Sequence, residues 1–185
     1  MSINISNKKK ILAILGSTRQ HSSNLSLLQA IIDLYHDELD IEIFRDIAGI
    51  PHFNPDLDTD NAPEAVTNFR TKIKEADGVL ICTPEYAMGV PGTLKNAIDW
   101  TVSSMEFSHK PTALITASSS GAKGHQSLLE TLMVIECNIP EQSRLLISFV
   151  KTKVKDNKII DAVTLASVKS VIGSLINTIN NKESF

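Results

Sequence analysis

Apolar runs too short to be helices recur at Ile11 to Leu15, Ile41 to Phe44, Val79 to Cys82, Thr112 to Thr116 and Leu145 to Val150, with helical patterns between them. This alternation constrains the fold more than any other feature of the chain. Leu25, Leu28, Ile32 and Tyr35 keep helical spacing, as do Ala62, Val66, Phe69, Ile73 and Ala76, and later Leu165, Val168, Ile172, Leu175 and Ile179. Further helices are expected from about Pro91 to Ser103 and from Gly124 to Cys137, the first opened by a proline where helices tolerate one. Strands that are apolar almost end to end must be covered on both faces. The expectation is therefore an α/β fold with a five-stranded parallel sheet, right-handed crossovers and strand order 2-1-3-4-5.

The chain has 185 residues, 42% of them hydrophobic, enough for one sizeable core and short for two, so residues 1–185 read as a single domain. A net charge of −3 with both signs dispersed leaves no footprint for nucleic acid or an anionic membrane. The run Lys8-Lys9-Lys10 reads as solvation of the entry to the first strand. Cys82 and Cys137 lack metal-ligand spacing and are too few for a disulfide scaffold, so both are read as small buried apolar residues. No stretch approaches the roughly 18 apolar residues of a membrane span, and the polar start from Met1 to Ser6 has no signal-peptide character, which gives a cytoplasmic expectation. The longest irregular stretch, Gly49 to Asn61, reads as a surface excursion suited to a partner contact.

In open α/β sheets ligands bind outside the carboxyl ends of the strands, near the point where strand order reverses, and the first βα loop lies there. From Gly16 to Asn24 that loop carries four hydroxyls, the Arg19 guanidinium and the Asn24 amide ahead of a helix whose dipole favours an anion. It lacks the Gly-Lys-Ser/Thr of a Walker loop and the spaced glycines of a dinucleotide turn, which favours a monophosphate end. The alternative is that Ser22, Ser23 and Asn24 only cap the helix while Arg19 is a solvated charge. His21 reads as a surface residue.

Gly16, Ser17, Arg19, Ser22 and Asn24 match every fixed position of the pattern Gly-Ser-x-Arg-x-x-Ser-x-Asn. After the third strand, Pro84-Glu85-Tyr86-Ala87 and then Pro91-Gly92-Thr93-Leu94-Lys95-Asn96-Ala97-Ile98-Asp99-Trp100 match a second pattern, Pro-Glu-Tyr-Asn…Pro-Gly-x-Leu-Lys-Asn-Ala-Ile-Asp-Trp, departing at Ala87. On these residues the sequence resembles the NAD(P)H-dependent FMN reductase family, which includes quinone, azo-dye and chromate reductases. The resemblance covers about Ile11 to Gln126 and implies a flavodoxin-like three-layer sandwich that binds FMN and is reduced by NAD(P)H.

By that resemblance, Ser17, Arg19, Ser22, Ser23 and Asn24 hold the FMN phosphate. The backbone of Pro84, Glu85, Tyr86, Ala87, Met88 and Gly89 lines the polar edge of the isoalloxazine, with Tyr86 near the ring. Fixed backbone donors there stabilise negative charge on reduced flavin without reorganising. Asparagine is usual at position 87, so Ala87 removes one polar side chain. The Ser/Gly-rich stretch from Thr116 to Gln126 stands where the family has its third loop, and Ser118, Ser119 and Gly121 carry over as cofactor contacts. The family's double glycine before the next helix appears as Gly124-His125, with His125 read as exposed or next to the cap. Lys95, Asn96, Asp99 and Trp100 are read as helix-face packing and subunit contact.

Hydride transfer through a flavin needs no protein acid or base, so no catalytic side chain is assigned, Glu85 included, and no metal is expected. The implied activity passes hydride from NAD(P)H through FMN to a small acceptor: a quinone, an azo compound, free flavin or a metal oxyanion. A flavodoxin-type electron carrier and a non-catalytic flavin-binding module are the alternatives. The family's members are usually homodimers or homotetramers, and no nucleic-acid or membrane partner is expected.

Overall fold

The structure, a computed structural model, describes residues 8–182. Five parallel strands form the central sheet: β1 (Lys9–Leu15), β2 (Leu39–Phe44), β3 (Gly78–Thr83), β4 (Thr112–Ala117) and β5 (Arg144–Ile147). Their order is β2-β1-β3-β4-β5, the expected one. Ile11 pairs with Ile41 on one side and Gly78 on the other, and Leu114 pairs with Arg144 at the far edge. β3 and β4 are buried throughout, whereas β2 and β5 alternate or open toward solvent, as edge strands of a covered sheet do.

Alternation of side chains sends Leu12, Ile14, Val79 and Ile81 to one face, and Ile11, Ala13, Leu15, Leu80 and Cys82 to the other. The first face is covered by α2 (Glu64–Glu75), α3 (Gly92–Asp99) and α4 (Ala122–Val134). The second is covered by α1 (Ser23–Tyr35) and the terminal helix Ala162–Lys182. Among the described residues, that terminal helix alone is long and apolar enough to cross a membrane by length and composition, with a mean hydropathy of 1.4. This differs from the expectation of no stretch near membrane-span length. Val168, Val171, Ile172, Leu175 and Ile179 are buried against the sheet, and the apolar character serves this core. Burial also pushes both thiols up, Cys137 to about 12, so neither is a thiolate at neutral pH.

The chain departs from expectation after β5. The strand does not run to Val150: it stops at Ile147, because Phe149 adopts a left-handed backbone (φ 55°) and Val150 opens a four-residue helix, α5 (Val150–Lys153). A small hairpin follows, β6 (Val154–Lys155) and β7 (Lys158–Ile159), and α6 is the terminal helix. The hairpin turn places Asp156 and Asn157 at φ 50° and 58°, the left-handed pair of a tight two-residue loop. The helices expected at Pro91–Ser103 and Gly124–Cys137 are shorter and shifted, at Gly92–Asp99 and Ala122–Val134.

The excursion from Gly49 to Asn61 is tied back onto its own chain. The Pro51 carbonyl accepts from Asn96 Nδ2 at 2.9 Å and Trp100 Nε1 at 2.8 Å, and the Phe53 amide donates to Asn96 Oδ1 at 2.7 Å. Arg70 reaches across to Asp58 at 2.6 Å and to the Trp100 carbonyl. Trp100 is fully buried within the chain, so its expected subunit contact is corrected to intramolecular packing. Lys95 and Asp99 form an ion pair one turn apart on the exposed side of α3.

Candidate active site

The loop after β1 is held close to its neighbours. The Gly16 amide donates to the Cys82 carbonyl at 2.9 Å, and a Cβ at Gly16 would stand 2.4 Å from Thr83 Oγ1, so only glycine fits. Ser22 is the N-cap of α1, its hydroxyl accepting from the Leu25 amide at 3.0 Å. The amides of Ser23 and Asn24 then fall in the first turn, where a helix leaves donors unbonded. The buried Asn24 side chain is a strap to the sheet: its Nδ2 donates to the Ala117 carbonyl at 3.0 Å, and its Oδ1 accepts from the Cys82 thiol at 3.3 Å. Arg19 is exposed, and among the described residues no carboxylate pairs with its guanidinium.

The loop after β3 ends in a tight turn. Tyr86 and Gly89 exchange both backbone hydrogen bonds at 2.9 Å, with Ala87 and Met88 at φ 48° and 62°. Left-handed backbone strains an alanine and suits asparagine, which explains the family's residue at position 87 in local terms. Ala87→Asn is expected to stabilise the fold by about 0.5–1 kcal/mol. Urea unfolding checks this, and a variant no more stable than the parent rejects it.

Glu85 has a structural duty: its Oε2 accepts the Gly124 amide at 2.7 Å in the first turn of α4. Gly124 lies so close to that loop that a Cβ there would meet the Gly89 carbonyl oxygen at 2.7 Å. Gly121, at φ 100°, turns the chain into α4 through a backbone conformation that strains any side chain. His125 Nδ1 and the Thr116 hydroxyl lie 2.8 Å apart. Burial keeps the His125 imidazole below its usual pKa, and Arg144 acts in the same direction. An unfolded chain takes up that proton near pH 6.5, so the stability carried by neutral His125 is complete above that pH and is lost as pH falls through the lower folded value. The thermal midpoint should fall more steeply as pH drops below about 6.5 in the parent than in His125→Gln; parallel acid limbs would overturn this.

These loops meet in a cleft of about 460 Å³ at the carboxyl edge of the sheet. Ser17, Arg19, Ser22, Ser23 and Asn24 line one end; Pro84, Glu85, Tyr86, Ser118 and Ser119 line the middle. Ala87, Met88 and Gly89 lie in the turn beyond the lining, and Gly121 is buried beside Leu146. Sequence reasoning missed Ala117 and, because it carried β5 through Val150, the wall from Phe149 to Thr152. A hollow of about 590 Å³ between the far ends of α3 and α4 includes none of these loops.

The cleft's chemistry fits a flavin mononucleotide. A hydroxyl-rich end with one unpaired guanidinium and first-turn amides suits a phosphate monoester, and a backbone-lined middle beside an aromatic suits a flat heterocycle. Its volume is ordinary for a cofactor site, within the roughly 300–1,000 Å³ of such pockets.

Residues 9–151 match the sequence pattern of the family described as NADPH-dependent FMN reductase. The chain is 39% identical over 144 residues to an NAD(P)H-dependent FMN reductase of Pseudomonas aeruginosa, covering 75% of this chain and 77% of that one. It is 29% identical over 169 residues to a quinone reductase of Escherichia coli, covering 87% and 90% respectively. Among solved structures it is similar to FerB, a flavoenzyme NAD(P)H:(acceptor) oxidoreductase from Paracoccus denitrificans, with a TM-score of 0.76 and 26% identity over 94% of this chain and 98% of that one. With the match spanning most of the chain and falling on the loops that build the cleft, the chain belongs to the NADPH-dependent FMN reductase family.

Proposed function

We propose that this chain is an FMN-dependent oxidoreductase that carries reducing equivalents from NAD(P)H to a small organic acceptor. One observation carries the reading: loops after β1, β3 and β4 converge on a single cleft whose two ends differ as the two ends of FMN differ. When bound, FMN supplies two-electron chemistry, accepting hydride from the nicotinamide and passing reducing equivalents on. The chain's own task is to hold and tune. Arg19, Ser17, Ser22, Ser23 and the first-turn amides of α1 would hold the phosphate, while the backbone from Pro84 to Tyr86 and at Ser118 and Ser119 would face the ring. No side chain is assigned a proton transfer, since Glu85 is committed to the Gly124 amide.

Relatives named for FMN, quinone and 2-hydroxy-1,4-benzoquinone reduction support a quinone or flavin as acceptor. A flavodoxin-type carrier would use the same fold. The near-neutral charge and Arg19 in the phosphate loop favour the reductase, since carriers of that kind are strongly acidic around the flavin. A homo-oligomer fits the exposed apolar side chains Val102, Met105 and Val134 around the hollow between α3 and α4. Strict monomers in light scattering would count against that. The cytoplasm suits a protein that draws on NAD(P)H.

The deciding experiment is spectroscopy of the purified protein with FMN, then anaerobic NADH and NADPH. The expected result is a yellow protein, stabilised by FMN and bleached directly by a nicotinamide without a protein partner. Colourless protein that gains no thermal stability from FMN would sink the reading.

A further inference from the structure

A fourth wall of the cleft belongs to neither of the two sequence motifs. Beyond the end of β5, Phe149 stands at φ 55° and ψ 39°, a left-handed conformation that a bulky side chain adopts only at a cost. The residue is 68% exposed and lines the cleft. An exposed aromatic on strained backbone gains nothing from burial that would offset the strain.

The conformation is nevertheless fixed. The Phe149 amide donates to the Ser119 carbonyl at 3.2 Å, the Val150 amide to the Ser118 carbonyl at 3.1 Å, and the Ser148 hydroxyl to the Ser120 carbonyl at 3.0 Å. The Phe149 carbonyl accepts from the Thr152 amide at 3.0 Å and the Thr152 hydroxyl at 2.8 Å. The backbone of the turn is thus bolted to the β4 loop, so the point from which the Phe149 side chain projects is fixed.

Strand order gives its place along the cleft. The β1, β3, β4 and β5 ends stand side by side along the edge, carrying in turn Arg19, Tyr86, Ser118 with Ser119, and Phe149. A cofactor anchored by its phosphate after β1, with its ring edge over the β3 and β4 loops, leaves Phe149 about one strand spacing, ~4.8 Å, farther out. That position borders the outer side of the cleft, from which an acceptor reaches the open face of the ring. Resting on the FMN oxidoreductase reading, we propose that Phe149 is a specificity-determining residue that stacks on planar aromatic acceptors of the quinone class. An offset stack favours a flat ring and gives nothing to a small octahedral anion.

The test compares Phe149→Gly and Phe149→Trp with the parent. Glycine accepts the left-handed backbone without strain, so Phe149→Gly should fold with an undiminished thermal midpoint. FMN affinity is read from quenching of flavin fluorescence in each variant, and every acceptor is assayed with the flavin site saturated. In Phe149→Gly, kcat/KM for 1,4-naphthoquinone should fall at least tenfold, mainly through KM, while reduction of ferricyanide changes less than twofold. Calorimetry of the FMN-loaded protein with 2-naphthol, a flat molecule that takes no electrons from it, should show a matching loss of affinity. Phe149→Trp should retain both. Equal losses for naphthoquinone and ferricyanide, or no change in Phe149→Gly, would each overturn the proposal. Failure of the parent to bind FMN would instead remove the reading beneath it.

Discussion

Arg19→Ala is expected to weaken FMN binding by about 1.5–3 kcal/mol, roughly 10- to 150-fold, and to leave riboflavin binding unchanged. Position and charge both single out this side chain. Arg19 lies at the end of the cleft shared with Ser22, Ser23 and Asn24, and among the described residues no carboxylate claims its guanidinium. A guanidinium donates charge-assisted hydrogen bonds in a fork that fits a phosphate, and riboflavin lacks that group. Fluorescence titrations of both flavins against both proteins separate the cases. Arg19→Lys should recover part of the affinity as a point charge. Equal weakening of FMN and riboflavin would mean that the substitution disturbs the loop as a whole, and unchanged FMN affinity would return Arg19 to a solvated surface charge.

A second large effect is expected away from the cleft. Trp100→Ala should destabilise the fold by about 3–5 kcal/mol, a large share of the stability of an ordinary domain. The indole is fully buried, meets Phe53 edge-to-face at 5.1 Å and 84°, and donates to the Pro51 carbonyl. Its backbone carbonyl accepts from Arg70, whose guanidinium also holds Asp58. Removing the ring therefore empties a core site and loosens the strap from Ile50 to Asp58 together. Trp100→Phe should cost much less, because the Pro51 carbonyl keeps Asn96 Nδ2 as a donor. Urea unfolding at several protein concentrations is the measurement. The loss should not vary with concentration, as fits a residue buried inside one chain, and a loss under about 1 kcal/mol would reject the prediction.

The sequence discloses the sheet because hydrophobic periodicity is the physical signal that burial leaves. β3 and β4, buried along their whole length, read as unbroken apolar runs, and their order in the sheet follows from the crossovers between them. The cleft was legible wherever a residue type is forced by local chemistry. Gly16 is required by the close approach of Thr83, Ser22 by the α1 cap, and Gly121 by its left-handed backbone. What stayed hidden depends on tertiary contact. Phe149 continues an apolar run, and nothing local announces that hydrogen bonds to Ser118 and Ser119 pull it out of the strand. Trp100 looks like an interface aromatic until the excursion from Gly49 folds over it and covers the ring. Asn24, counted among the phosphate donors by its place in a motif, spends its side chain on Ala117 and Cys82, which no spacing rule could reveal.

The Glu85 carboxylate on the Gly124 amide, with Gly124 lying against Gly89, has a consequence for anyone recombining relatives of this chain. The stretch from Pro84 to Gly89 and the opening of α4 behave as one heritable block. A chimera that exchanges one without the other risks leaving the Gly124 amide without its carboxylate or placing a side chain where Gly124 leaves no space. Exchanged together they should transplant cleanly, so the natural unit of variation in this cleft is a pair of segments thirty-five residues apart, from Gly89 to Gly124, rather than a single loop.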